Sequence, residues 1–442
     1  VSRSLPEVAR DLDTTWLVVA AVLVMFMQAG FACLEIGFSR GKNVGAVVAK
    51  VLVNFSTVSL VWWMFGFGIA FGGGLSLVGD SGFLLSVGHE ISPGSPIPGP
   101  FGSDDAGFVL FQLVFCAVSL AIVWGTTLER VRFVVYPIYA VVFAGVIYPL
   151  VAHWIFGGGL LDRLGAGMQD FAGSTVVHLT GATGGLAALL LLGPRRGKYD
   201  PDGRPRAIPG HSMPIFGLGV LILWLGWFGF NAGSTIDTVG GRFAEVALVT
   251  NLAAAAGVVG AAIVVSLLTR RVDVGMVGNG AIGALVAITA PSGYVELWAA
   301  PIIGLVAGAL VVGSVLAIDR VLDDPVGALS AHGVAGIWGT LSCGLFAAPR
   351  LVEAPGVPGD AGFVYSGSLT QLGVQAVGVL AVFVFVFVVS WLVFAAIKAT
   401  VGLRVTPEEE REGLDIVEHG MYGYPEQFMA SPELGESGAP VH

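Results

Sequence analysis

At 442 residues the chain is 55% hydrophobic and only 12% charged, with a mean hydropathy of +0.84. A soluble domain averages about 25% charged residues, so a string of water-facing domains is excluded. The net charge of −10 gives no footprint for nucleic acid, and Cys33, Cys116 and Cys343 sit in separate apolar segments with no CxxC pair, against a disulfide framework or a cysteine metal cluster.

A bilayer span needs roughly 20 mostly apolar residues. In chain order, a polar opening segment (1–13) precedes eleven candidate spans near 15–36, 44–71, 106–126, 133–156, 171–193, 213–234, 244–268, 275–290, 294–318, 326–348 and 368–398. The eighth is short and glycine-rich, so its limits are the least defined. The stretch from Gly72 to Asp105 is rich in Gly, Pro and Ser, contains no Lys or Arg, and is a loop by composition. Pro194 to His211 is the main basic loop. The organisation expected is an N-terminal outer segment over 1–13, one all-α polytopic membrane domain over 14–400 and a cytoplasmic tail over 401–442. The 65 glycines, many inside apolar runs, point to helices whose backbones approach closely.

Orientation follows from the basic residues. One set of loops with the tail carries 15 of the 21 Lys and Arg, the other set with the N-terminal segment carries 5, and Lys50 lies inside a span. The tail is therefore expected in the cytoplasm and the N-terminus outside, in a cell (plasma or inner) membrane.

The fifth and tenth spans repeat one pattern. Asp170-Phe-Ala-Gly173-Ser-Thr-Val-Val-His178 and Asp324-Pro-Val-Gly327-Ala-Leu-Ser-Ala-His332 both read D-x-x-G-x4-H, each with a glycine seven residues past the histidine, Gly185 and Gly339. Five spans separate the copies, so they enter the bilayer from opposite faces. That is an inverted 5+5 repeat plus one additional helix, and such repeats place a site near the midplane. Eight residues of helix rise about 12 Å, which carries both histidines to mid-depth.

Ionisable residues in a span tend to face a cavity or pathway. The plain alternative is that His178 and His332 are packing residues. A metal site is disfavoured because no Cys, Asp or Glu stands beside either histidine. Asp170 reads first as an N-cap, with a charge that also suits a cation at the outer mouth; for Asp324, followed by Pro325, capping suffices.

DFAGSTVVHLTGATGG from Asp170 resembles the signature of the Amt/Mep/Rh ammonium transporters, and HGVAGIWG around His332 resembles their second pore-histidine segment. MQAGFACLEIGFSRGKN from Met27, FQLVF from Phe111, WFGFNAGS from Trp227 and LRVTPEEEREGLD from Leu403 match in the same order, closer to the Amt branch than to the Rh branch. The resemblance implies eleven transmembrane helices in a homotrimer, with a pore through each subunit. It assigns Phe115 and Phe230 to a gate, Phe111, Trp227, Ser234, Phe156 and Asp170 to the outer vestibule, and Thr289 to the conduction path. No cofactor is implied. Phe156 stands where bacterial relatives carry a tryptophan, with Trp154 two residues before; phenylalanine keeps a weaker π face for a cation.

The mechanism so implied strips ammonium of its proton at the vestibule and passes ammonia between the histidines, because a bare ion in an apolar path has an idealised Born cost of order 20 kcal/mol. A neutral imidazole donates and accepts, and its unperturbed pKa of about 6.5 allows proton relay. A PII-family signal protein is a possible partner of the tail, which carries Val417 where plant relatives have a phosphorylatable threonine. The competing reading is an ammonium sensor of the same fold; an enzyme is not expected, for want of a nucleophile, metal set or nucleotide motif.

Overall fold

The computed structural model describes residues 4–353 and 356–428; Arg3 of the N-terminal segment and residues 429–442 of the tail lie outside the described residues. Nine described helices are long and apolar enough to cross a membrane: α1 (Leu5–Phe38), α2 (Gly41–Phe71), α3 (Ala106–Gly125), α4 (Val135–Ile155), α5 (Ser174–Leu192), α6 (Met213–Gly233), α7 (Val239–Thr269), α9 (Ala299–Ile318) and α11 (Thr370–Thr400). At the eighth expected span lies α8 (Val274–Thr289), of only 16 residues. The tenth, α10, opens on a π turn (Leu329–Val334) before continuing as Ala335–Phe346. Among the described residues, nine of the expected spans thus have the length and hydropathy to cross a membrane, and the eighth and tenth fall short of those dimensions.

The first helix begins earlier than the polar character of 1–13 suggests. Ser4 starts it through its backbone N–H and its hydroxyl, both given to the Glu7 carboxylate at 2.7 and 2.9 Å, and Pro6 fits the first turn. Capping chemistry sets this boundary where hydropathy sees only polar residues.

Glycine decides how the helices pack. The first helices of the two halves, α1 and α6, lie antiparallel, as opposite entry into the bilayer requires. Gly30 faces Leu223, Gly37 faces Phe216, and Gly226 faces Met27, so that each small residue receives a large one. On the other side of the molecule a Cβ on Gly304 of α9 would fall on the Ala253 carbonyl oxygen of α7, and one on Gly308 would fall on the Gly257 carbonyl. Close backbone contact of this kind is how helices associate where lipid removes the hydrophobic drive between them.

Loops close both ends. The stretch after α2 carries one short antiparallel pair, β1 (Glu90–Ile91) with β2 (Gly99–Pro100). At the opposite face the tail folds back as α12 (Pro407–Glu412) and α13 (Leu414–His419). Asp415 accepts the Ala46 N–H and Asn43 accepts the Leu414 N–H, each at 2.9 Å, which fastens the tail to the first turns of α2.

Beneath the tail lies a buried ionic cluster that ties four connections together. Arg195 grips Asp323 through two N–H groups at 2.9 and 2.8 Å and reaches Glu129 at 3.3 Å, while Arg40 also binds Glu129 at 2.7 Å. Burial alone would raise the Asp323 carboxyl, but the hydrogen bonds from Arg195 and the charges of Arg130 and Arg195 outweigh it and hold the group at about 2, below its ordinary 3.8.

A carboxyl that binds its proton less readily when folded stabilises the fold above its unfolded value and gives that up as pH falls. Acid unfolding of the purified protein is therefore expected to gain slope between pH 3.8 and about 2, and Asp323→Asn is expected to flatten it; equal slopes would remove Asp323 as the source. Gly304→Ala, which overpacks the α7–α9 contact, is expected to cost about 1–3 kcal/mol, read as a lower thermal midpoint in detergent.

Candidate conduction site

Both copies of the repeated motif start a helix in the same way. Gly173 and Gly327 hold positive φ, 112° and 73°, and each leads into a π turn, Ser174–Leu179 and Leu329–Val334. The Asp170 carboxylate accepts the N–H groups of Gly173, Thr175 and Val176, all at 2.9 Å, and Asp324 accepts that of Leu329 at 2.7 Å. These are the free donors at the start of a helix, and a carboxylate there meets both the hydrogen bonds and the helix dipole.

A π turn inserts one extra residue and so re-aims the side chains after it; such bulges recur at functional sites. Here both turns carry a histidine. His178 and His332 face each other with Nδ1 atoms 3.2 Å apart and ring centroids at 5.3 Å. Both are buried. An Nδ1 pair at hydrogen-bonding distance requires one ring to donate and the other to accept, so the Nε2 of each faces away from the pair. The Nε2 of His178 is buried with no partner among the described residues.

Aromatic rings cover the histidines on the β1–β2 side. Phe230 lies 5.5 Å from His178, and Phe115 stacks on Phe230 at 3.9 Å with the planes 11° apart. Phe111 packs on Phe115 at 4.6 Å. Above this lid opens a vestibule of about 550 Å³, whose wall includes Phe111, Phe115, Phe156, Asp170 and Ser234. Ser234 donates its hydroxyl to the Phe230 carbonyl at 2.9 Å, which leaves its oxygen lone pairs free to accept. Below His332 a cavity of about 20 Å³ has room for one or two waters.

The expected residues thus separate by level. Phe111, Phe156, Asp170 and Ser234 reach the vestibule, Phe115 and Phe230 close its floor, and the histidines lie beneath. Trp227 does not stand on the vestibule wall; it lies under the lid, its ring 5.3 Å from His178. Thr289 accepts the Trp227 indole N–H at 2.9 Å and passes its own proton to Leu285 at 2.7 Å, so it fixes the tryptophan. Trp154 gives its N–H to Leu77 at 3.0 Å and packs on Phe385, outside the vestibule lining. Phe156 alone of the two therefore presents a ring to the mouth.

Sequence reasoning overlooked several lining residues. Gln112, Phe171 and Tyr294 join the vestibule, and Phe31, Glu35 and Asn279 join the lower cavity. Phe31, Glu35 and Gln112 lie within matched motifs, and for Glu35 and Gln112 a polar residue in an apolar run was the available signal.

The family profile described as Ammonium Transporter Family matches residues 15–424. The chain is 42% identical to the ammonium transporter Amt2 of Archaeoglobus fulgidus over 96% of its own length and 90% of that protein. It is 34% identical to the ammonium transporter of Bacillus subtilis, covering 93% and 98%. Among solved structures it resembles one described as a sensor Amt protein, with a TM-score of 0.84 and 34% identity over 94% of this chain and all of that one. Mep2 of Candida albicans aligns with a TM-score of 0.81 and 30% identity, over 90% and 87%. The twin histidines on opposed, matching π turns at helix starts define a polytopic transport protein of inverted-repeat design. The chain belongs to the ammonium transporter family.

Three buried N–H groups depend on one carboxylate at the start of α5. Asp170→Ala is expected to destabilise the protein by about 2 kcal/mol or more, and Asp170→Asn by less, measured as thermal midpoints in detergent; equal stability of the alanine variant would deny the capping role.

Proposed function

We infer that this protein carries ammonium across the membrane by splitting it: ammonia crosses between the histidines while the proton is relayed. The observation that carries this reading is the buried histidine pair under a closed aromatic floor, with the outward nitrogen of His178 left without a partner among the described residues. An unpartnered buried polar atom is costly unless something visits it.

Each level then has a task. Phe111, Phe156 and the Ser234 oxygen attract the cation in the vestibule, with Asp170 behind them adding charge to the mouth. Phe115 and Phe230 exclude bulk water and must swing aside to admit the substrate. Below them an ion would have to shed its hydration for apolar walls, whereas ammonia enters at far lower cost. His178 and His332 give and take hydrogen bonds along this path and exchange the released proton through their shared Nδ1 contact. Trp227, braced by Thr289, holds the His178 ring in plane. Sodium and potassium have no proton to lose, so they stop at the floor.

The family names of the relatives support ammonium as substrate, and the concentration of Lys and Arg on the tail side supports an N-terminus outside and a tail in the cytoplasm of a cell membrane. A homotrimer follows from the resemblance. A PII-family protein at the tail face would reach α12 and α13, which are bound to the start of α2.

Ammonium pulses on proteoliposomes adsorbed to a solid-supported membrane test the reading. A saturable current is expected, whereas substrate binding without current would reassign the protein to sensing. Replacing both histidines by alanine is expected to abolish ammonium selectivity over potassium; selective current in that variant would overturn the split mechanism.

A further inference from the structure

The lower cavity contains a second ionisable station that the histidine mechanism does not use. Its wall is mostly apolar, but His332 meets it from above and two other polar side chains reach it, Glu35 of α1 and Asn279 of α8. Asn279 spends an amide N–H on the Val326 carbonyl at 2.9 Å. Glu35 is buried and divides its carboxylate between two surroundings. Oε2 is bound by the equally buried Lys50 ammonium, while Oε1 lies 3.9 Å from where a Cβ on Gly125 would stand, and Gly125 is itself part of the cavity wall.

Depth fits this placement. Glu35 is three residues from the end of α1 at Phe38, about 4.5 Å along the axis, whereas His332 lies eight residues, about 12 Å, from Asp324 on the same face. The carboxylate therefore stands between the histidines and the tail side.

A buried lysine and glutamate bring no clear stability benefit. Desolvating two charges offsets much of their attraction, and an apolar pair of like volume commonly serves as well. Burial opposes a charge on the Glu35 carboxylate while the Lys50 ammonium favours it, and these two opposed influences make Glu35 a group that can take up and release a proton.

We propose that Glu35, steadied by Lys50, is the proton acceptor at the lower end of the pore. It rests on the reading that ammonium crosses as ammonia and a proton. An imidazolium formed at the histidine pair gives its Nε2 proton to a cavity water, which passes one on to Glu35 Oε1; the imidazole returns to neutral, the carboxylate becomes a carboxylic acid, and Lys50 stays an ammonium throughout, carrying the transient positive charge until the proton leaves. The acid then loses that proton to water at the tail side, and ammonia leaving the pore is reprotonated there. One charge crosses per cycle and no co-reactant is consumed. Lys50 acts through Glu35, as a positioning residue.

Three proteins separate a proton station from a structural tie: the full-length wild type, Glu35→Gln, and Glu35→Gln with Lys50→Gln, each in proteoliposomes under ammonium pulses. Glu35→Gln is expected to cut the current about a hundredfold, the lower end of what a positioned proton-transfer group contributes. The double variant removes both charges and leaves no orphan ammonium, and it is expected to stay equally low. Recovery of the double variant to wild-type current overturns the proposal, since the single variant's loss would then come from unpaired Lys50. If the double variant does not fold, infrared difference spectra on ammonium perfusion of wild type and Glu35→Asp decide: a protonated-carboxyl band that moves with the substitution supports the proposal, and no such band overturns it. Absence of current in the wild type would instead defeat the transport reading, before any variant is compared.

Discussion

The hydrogen bond between two histidine Nδ1 atoms is the constraint around which the rest is arranged. Imidazoles buried this deeply must find partners, and among the described residues the Nδ1 of each ring finds the other. For the rings to meet, two helices must enter from opposite faces and turn their side chains inward. The Asp-x-x-Gly opening sets the start of each helix, and the π turns that follow aim the rings. An aspartate so engaged in holding N–H groups serves the histidine first by fixing where its helix begins.

Glycine makes that meeting possible. The first helices of the halves pack through alternating glycines and large side chains, which brings Phe31 and Glu35 of α1 up to the cavity under His332. Thick side chains at Gly30 or Gly37 would hold α1 away and leave the lower pore wider on one side. Packing at the repeat interface therefore sets the bore of the path as directly as the residues that line it.

Much of this was legible in the residues. Apolar runs located the helices, the D-x-x-G-x4-H repeat located the opposed histidines, and the matched motifs named the aromatic floor. What escaped was what depends on contact across helices. Trp227 reads as a vestibule residue but lies beneath the floor beside His178, held by the hydroxyl of Thr289, a partner 62 residues away. Lys50 reads as a lone charge in a span, and only the fold reveals its ion pair with Glu35. The start of α1 at Leu5 depended on a local capping box inside a polar segment, where hydropathy gives no signal.

The two chambers on either side of the histidines differ greatly in size, about 550 Å³ against about 20 Å³. A hydrated cation keeps its water shell in the first and has no room for one in the second. On the mechanism proposed above, screening by charge and screening by bulk would then happen at separate places along one axis. An alkylated ammonium too wide for the slot would still fit the mouth, so the same asymmetry would leave the entrance open to competitive plugs.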